Sequence, residues 1–244
     1  MRLLRHACAC LLLAATGAHA QQPEPAAQVI DGQGYSMFVP SPTAGTPMPM
    51  PLLIVLHGSY GKAHAMVAQW AALAERERFI VAGPDARESS AWRLKEDGPE
   101  PLFALAERIK AQQPVDPRRV YLFGFSAGAR FTLMMSMMES QYFAAAAVFA
   151  GAWKQDRESL VTQLARRKLP VALFIGDRDP LFPLESARDT ERTLREQGFP
   201  VELTILKDHD HDYSAVAREV NAGAWRFLSA RSLDAPPRYL RYPL

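Results

Sequence analysis

The residues with the plainest chemical meaning are Gly124-Phe125-Ser126-Ala127-Gly128, a G-x-S-x-G pattern that follows an apolar run at 120–123 and opens a helical stretch. A serine on so sharp a strand-to-helix turn is held out above a sheet, and the turn demands glycine or another small residue on either side. The pattern suits a nucleophile for acyl transfer; a structural glycine-rich turn is the plainer reading. A hydroxyl at its free pKa attacks poorly, so a base and an orienting acid are required, and with this kind of turn the acid and then the histidine follow the serine in the chain. After Ser126 the histidines are His209 and His211, in Lys207-Asp208-His209-Asp210-His211-Asp212-Tyr213. That stretch lies just past a strand-like run at 201–206, at a strand's carboxyl end, where sites in open α/β sheets form. His211, five positions beyond the run, leaves the loop room to fold back over the serine; His209 is the alternative base. Alternating His and Asp can also bind zinc, but ligands two apart on an extended chain point to opposite sides, so no metal and no cofactor is expected. A merely solvated loop is the remaining reading. The acid should leave the strand at 171–175, which runs into Gly176-Asp177-Arg178-Asp179-Pro180. Asp179, held by Pro180, can turn its carboxylate toward a histidine, whereas Asp177 sits in the turn and is the alternative.

Acyl transfer places negative charge on a carbonyl oxygen and needs backbone N–H donors aimed at it. His57-Gly58-Ser59-Tyr60-Gly61, after the apolar run 52–56, is placed to supply one of them. Ser59 is the expected donor with Tyr60 next, and Ala127, after the nucleophile, is the second. His57 precedes the serine in the chain and suits a hydrogen-bonded brace better than a base. Trp92 and Trp153 fall in strand-to-helix loops on the same side, where they line an acyl or aryl pocket or simply pack, and His57 and Tyr60 border that pocket in the same reading. Met134, Met135, Met137 and Met138 read as adaptable core filler. Arg157, Arg166, Arg167 and Lys168 read as a solvated helix face.

These residues need a scaffold, and the chain's periodicity describes one. Continuous apolar runs of strand length recur at 52–56, 79–82, 120–123, 144–149, 171–175 and 201–206, as a sheet covered on both faces requires. Helical patterns alternate with them: Met66, Val67, Trp70, Leu73 and Ala74 share one face, and 102–109, the stretch after Ser126, 184–194 and 216–228 follow suit. Strands alternating with helices predict a mostly parallel sheet with helices on both faces, while the turn signals Asp31-Gly32 and Gly34 predict an antiparallel edge hairpin over 29–39. The proline-rich segment 40–51 reads as a loop, and the tail around Pro236-Pro237 as peripheral.

The 244 residues, 48% hydrophobic and 22% charged, describe an ordinary globular chain. Met1 to Ala20 read as a secretory leader: a short basic start, the apolar Leu11-Leu12-Leu13, then Ala18-His19-Ala20 as a cleavage site. Residues 21–244 then form a single catalytic domain with a core of about 29–228, exported to the periplasm or beyond. Two of the 28 basic residues, Arg2 and Arg5, lie in the leader, leaving 26 against 26 acids, so nothing basic remains for phosphate and nucleic acid is not an expected partner. Both cysteines, Cys8 and Cys10, also lie there, which removes disulfides and Cys-ligated metal from the mature chain. The apolar run is too short for a permanent span, and Ala7-Cys8-Ala9 lacks the leucine a lipid-attachment site usually carries, so no stable membrane insertion is expected.

The run from Val115-Asp116-Pro117-Arg118 through Gly128, with the His57-Gly58 loop, Gly176-Asp177-Arg178-Asp179 and His211-Asp212-Tyr213 in matching order, resembles the α/β-hydrolases grouped with poly(3-hydroxybutyrate) depolymerases, feruloyl esterases and secreted carboxylesterases. The resemblance covers nearly the whole mature chain and implies an α/β-hydrolase fold and a serine esterase with a Ser126-Asp179-His211 triad, His211 matching the catalytic-histidine stretch. The chain lacks the depolymerases' cysteines and any appended substrate-binding domain, which points from polymers to a small-molecule ester. Dienelactone-type hydrolases resemble the fold too, but usually place cysteine where Ser126 stands. Alternatives are a peptidase similar to the prolyl oligopeptidase catalytic domain, a polyester depolymerase, and a binding protein on a hydrolase scaffold. The span 152–170 is too short for a large cap, so a shallow pocket and acyl chains of about two to six carbons are expected.

Overall fold

A computed structural model describes residues 30–32, 34–41, 49–153 and 156–242, without the side chains of Ile30, Asp31, Asp156 and Arg157. The leader with its cleavage site, Val29, most of the proline-rich segment and the Arg157 side chain lie outside the described residues. The strands are β1 (Ile30–Gly32), β2 (Tyr35–Phe38), β3 (Met50–Leu56), β4 (Ile80–Pro84), β5 (Val115–Phe125), β6 (Ala145–Phe149), β7 (Val171–Gly176) and β8 (Val201–Leu206). They form one sheet in the order β1-β2-β4-β3-β5-β6-β7-β8. β2 runs antiparallel to β1 and β4, and every later pairing is parallel.

The helices are α1 (Ala63–Glu77), α2 (Leu94–Asp97), α3 (Pro99–Gln112), α4 (Ala127–Met138), α5 (Asp156–Ser159), α6 (Leu184–Glu196) and α7 (Tyr213–Ser229). The uninterrupted apolar strands are explained by two cores. Leu53, Val55, Tyr121 and Phe123 face α1 and α7, while Leu52, Ile54, Leu56 and Leu122 face α3 and α4. Successive side chains of one strand thus enter opposite layers, as the pleat requires. This is the α/β-hydrolase fold. Chain order sends β4 to one side of β3 and β5 to the other, which leaves a crevice at the carboxyl ends of β3 and β5. Ser126 leaves β5 beside that crevice, and the His57 loop leaves β3.

Between β6 and β7 the described residues form α5 and a single 3-10 turn, Leu160–Leu164, and no cap. Two features differ from expectation. The tail is integrated: Tyr121 Oη–H donates to the Arg231 carbonyl, Leu233 N–H to Arg118, Arg238 N–H to Gln141, and Tyr239 stacks on Phe103 at 4.0 Å. The packed domain therefore runs past 228, because aromatic side chains spaced along the tail find a hydrophobic seat that a count of helical periods does not reveal. Arg167, read as solvated, instead donates through Nε to the Ser140 carbonyl and through Nη2 to those of Phe143 and Ala144, satisfying the turn between α4 and β6.

Candidate active site

Ser126 sits at the end of β5 with φ 54° and ψ −117°. L-residues rarely adopt such a conformation, and surrounding packing must hold it. Close approach explains the flanking glycines: a Cβ on Gly124 would come 2.3 Å from the Gly128 carbonyl oxygen, and one on Gly128 would come 2.3 Å from that of Leu56. Ser126 N–H is tied to the Phe149 carbonyl at 3.1 Å.

Three residues far apart in sequence meet here. His211 Nδ1 lies 2.7 Å from Asp179 Oδ2, and His211 Nε2 lies 2.8 Å from Ser126 Oγ. The carboxylate can only accept, so Nδ1 carries the proton, and the lone pair of Nε2 accepts from the serine hydroxyl. The Asp179 side chain is fully buried and that of His211 is 18% exposed. Asp179 Oδ1 accepts from the N–H groups of Leu181 (2.8 Å) and Phe182 (2.9 Å). Burial alone would push this carboxyl up, but the bonds from His211, Phe182 and Leu181 together hold it below its ordinary value, so it stays charged. Phe125 and Phe182 flank the imidazole at 5.2 and 5.9 Å.

The alternatives stand elsewhere. Asp177 is exposed, with its N–H bonded to the Leu206 carbonyl. His209 donates from Nε2 to the Asp212 carbonyl at 2.9 Å, shaping the loop that carries His211.

At the crevice, a Cβ on Gly58 would lie 3.3 Å from Ser126 Cβ, so the β3 loop reaches over the serine. His57 is buried. Its Nε2 accepts from Ala86 N–H (3.1 Å), which fixes the proton on Nδ1 for donation to the Gly58 carbonyl (2.8 Å). Burial pulls its pKa down, further favouring this neutral brace. Tyr60 differs from expectation: its N–H is committed to the Ser89 carbonyl at 2.6 Å and its ring is 78% exposed. Ser59 stays exposed in the same loop. Ala127, first residue of α4, has an N–H that no carbonyl within the helix can take.

Trp92 and Trp153 line one cleft of about 240 Å³ beside Ala127, together with Arg130, Phe131 and Glu158. His57 and Tyr60 form no part of its wall; His57 lies behind Trp92, whose Nε1–H donates to the His57 carbonyl at 2.8 Å. Trp92 also stacks on Phe131 at 5.5 Å. Sequence reasoning missed Asp97, whose two oxygens accept from Arg87 and Arg93 N–H at 2.8 Å each and so fold the loop that presents Trp92. It also missed Phe182, Arg130 and Glu158. A larger hollow of about 360 Å³ lies between β8 and α7, away from Ser126. No cluster of potential metal ligands occurs among the described residues, and none of their helices is long and apolar enough to cross a membrane.

Known proteins resemble this chain in sequence and in fold. The chain is 32% identical over 121 residues to poly(3-hydroxyalkanoate) depolymerase C of Paucimonas lemoignei, covering 44% of this chain and 29% of that protein. It is 25% identical over 173 residues to a bifunctional acetylxylan esterase/xylanase of Neocallimastix patriciarum, covering 68% and 24%. It therefore spans roughly a quarter of the length of these curated relatives. Esterase 2 of Thermogutta terrifontis, solved after phosphonylation by cyclosarin, superposes with a TM-score of 0.66 at 16% identity, over 84% of this chain and 94% of that one. Residues 17–230 match the dienelactone hydrolase family, and with that match over most of its length the chain belongs to this family of α/β-hydrolases.

Proposed function

We propose that this hydrolase cleaves small carboxylic esters through an acyl-enzyme on Ser126. The observation that carries the reading is the continuous hydrogen-bonded line from the Ser126 hydroxyl through His211 to buried Asp179. His211 Nε2 takes the serine proton as Oγ attacks the ester carbonyl, and the developing oxyanion is met by the N–H groups of Ala127 and Ser59. Asp179 stabilises the imidazolium, which then protonates the departing alcohol. Water, deprotonated by the same imidazole, releases the acid. The step needs His211 neutral at Nε2, since that lone pair is what accepts the serine proton.

The open cleft and the absence of a cap among the described residues favour acyl groups of about two to six carbons, and the acetylxylan esterase relative fits that size. A fluorophosphonate should label Ser126 stoichiometrically, and Ser126→Ala should abolish both labelling and the hydrolysis of p-nitrophenyl butyrate while leaving the circular dichroism unchanged. Labelling at another residue, or faster cleavage of peptide amides than of esters, would overturn the reading. The A-x-A pattern supports export with cleavage after Ala20, so the intact mass of the exported protein should correspond to a chain beginning at Gln21. A mass that retains Met1 to Ala20 would reject it.

A further inference from the structure

The cleft beside Ala127 has a direction. Ala127, Arg130, Phe131 and Met134 all line it. They stand at i, i+3, i+4 and i+7 on α4, so the cleft follows one face of that helix for two turns, about 10 Å at 1.5 Å per residue. None of its lining residues is Asp179, Phe125 or Phe182, the groups around His211. The leaving alcohol must collect its proton from His211, so the group seated along α4 is the one that stays on Ser126, the acyl group. Arg130, one turn beyond Ala127, forms an ion pair with Glu158 of α5, and both side chains line the cleft. Met134 lies a further turn on, and Val161 also lines the wall.

We propose that the Arg130–Glu158 pair is a bar across the acyl cleft that sets the length of uncharged acyl chain the hydrolase accepts. Resting on the ester-hydrolase reading above, this assigns chain-length specificity to two side chains 28 residues apart. Beside the bar the cleft is walled by Trp92, Phe131 and Trp153, which favour apolar or planar groups. A longer chain must place methylenes against two paired charges, which are not displaced without desolvating them. The pair is partly exposed, 43% for Arg130 and 25% for Glu158, so removing both partners should cost little stability and leaves neither of the two charges without the other.

The test is the ratio of kcat/KM for p-nitrophenyl octanoate to that for the butanoate. In the double variant Arg130→Ala/Glu158→Ala the ratio should rise at least tenfold, each methylene newly taken out of water being worth a factor of about four. The exchanged pair Arg130→Glu/Glu158→Arg should restore the short-chain preference. Adding Val161→Phe to the double alanine variant refills the opened end and should remove the gain. Fluorophosphonate labelling of each variant verifies a folded site, and should the alanine variant fail it, Arg130→Gln/Glu158→Gln provides the same reading with the charges gone and the volume nearly kept. An unmoved ratio in a labelled variant overturns the bar while leaving the ester reading intact; failure of the wild type to turn over either ester defeats both.

Discussion

Two rims meet at Ser126 and are built by different means. The rim at the ends of β7 and β8 is joined backbone to backbone: Asp177 N–H donates to the Leu206 carbonyl at 3.0 Å and Arg178 N–H to the His209 carbonyl at 2.9 Å. A Cβ on Gly176 would stand 2.2 Å from that same His209 oxygen. The acid loop and the histidine loop are thus one unit, held by backbone atoms that every substitution except proline leaves in place. The rim at the ends of β4 and β6 has the backbone bond from Tyr60 N–H to the Ser89 carbonyl but is otherwise joined through side chains: Trp92 to the His57 carbonyl, Thr190 Oγ1 accepting from Trp153 N–H, Arg130 to Glu158. Backbone joints persist through most substitutions, and side-chain joints can be exchanged without disturbing them. Chemistry on one rim and selectivity on the other is the division this construction permits.

The sharpest way to break the comparison is within the first rim. His211→Ala should cost as much as Ser126→Ala, roughly four to six powers of ten in kcat, since the two act as a unit. His209→Ala removes only a loop-shaping bond and should cost no more than about tenfold, in line with one lost hydrogen bond. Steady-state kinetics on p-nitrophenyl butyrate separate the two, and the reverse ranking would transfer the base to His209.

A stability contrast sharpens it further. Gly176→Ala forces the two loops apart against backbone atoms that cannot rotate away, and should destabilise by about 3 kcal/mol or more. Trp92→Phe, on the other rim, keeps the stack on Phe131 and gives up one hydrogen bond, for about 1 kcal/mol. Urea denaturation of both variants reads the difference; equal losses would mean that the rims are not built differently.

The first rim was the legible one. Ser126, Asp179 and His211 announce themselves because each follows an apolar strand in a fixed chain order, and strand, glycine and polar loop are all local patterns. The alternation of apolar runs with helical periods carried the sheet for the same reason. The second rim left little local trace. Glu158 is an ordinary acid in a polar stretch and Arg130 is the one charged residue of α4, and only the folded distance between α4 and α5 makes them a pair. Asp97 looks like one more acid in Lys95-Glu96-Asp97 until its two oxygens are seen to gather two backbone N–H groups. Arg167 misled because a run of basic residues resembles a solvated face, whereas its guanidinium serves three carbonyls of a turn remote in sequence.

The smallest effect on turnover is expected where α4, which carries Ala127 at one end, is held by the tail at the other. Glu139 caps that end and is 1% exposed, with Oε2 accepting from Leu240 N–H at 3.0 Å and Oε1 without a partner among the described residues. Burial pushes its carboxyl up to about 7, only partly opposed by the Leu240 bond. The folded chain therefore keeps a proton that the unfolded chain releases near 4.5, so the contribution of Glu139 is fully present below 4.5 and is lost as pH rises through 7. At 1.36 kcal/mol per unit the loss is at most about 3 kcal/mol. Asp179 works in the opposite sense: its lowered carboxyl contributes above the ordinary aspartate value and loses that contribution as pH falls through the folded one. Glu139→Gln keeps an acceptor for Leu240 N–H and has no charge to bury. The variant should gain in Tm over the wild type between pH 5 and pH 8, with no change in kcat at either pH, since Ser126 is three turns away along α4. A Tm difference that stays constant over that interval would show that Glu139 is already ionised in the fold and that the tail tolerates its charge.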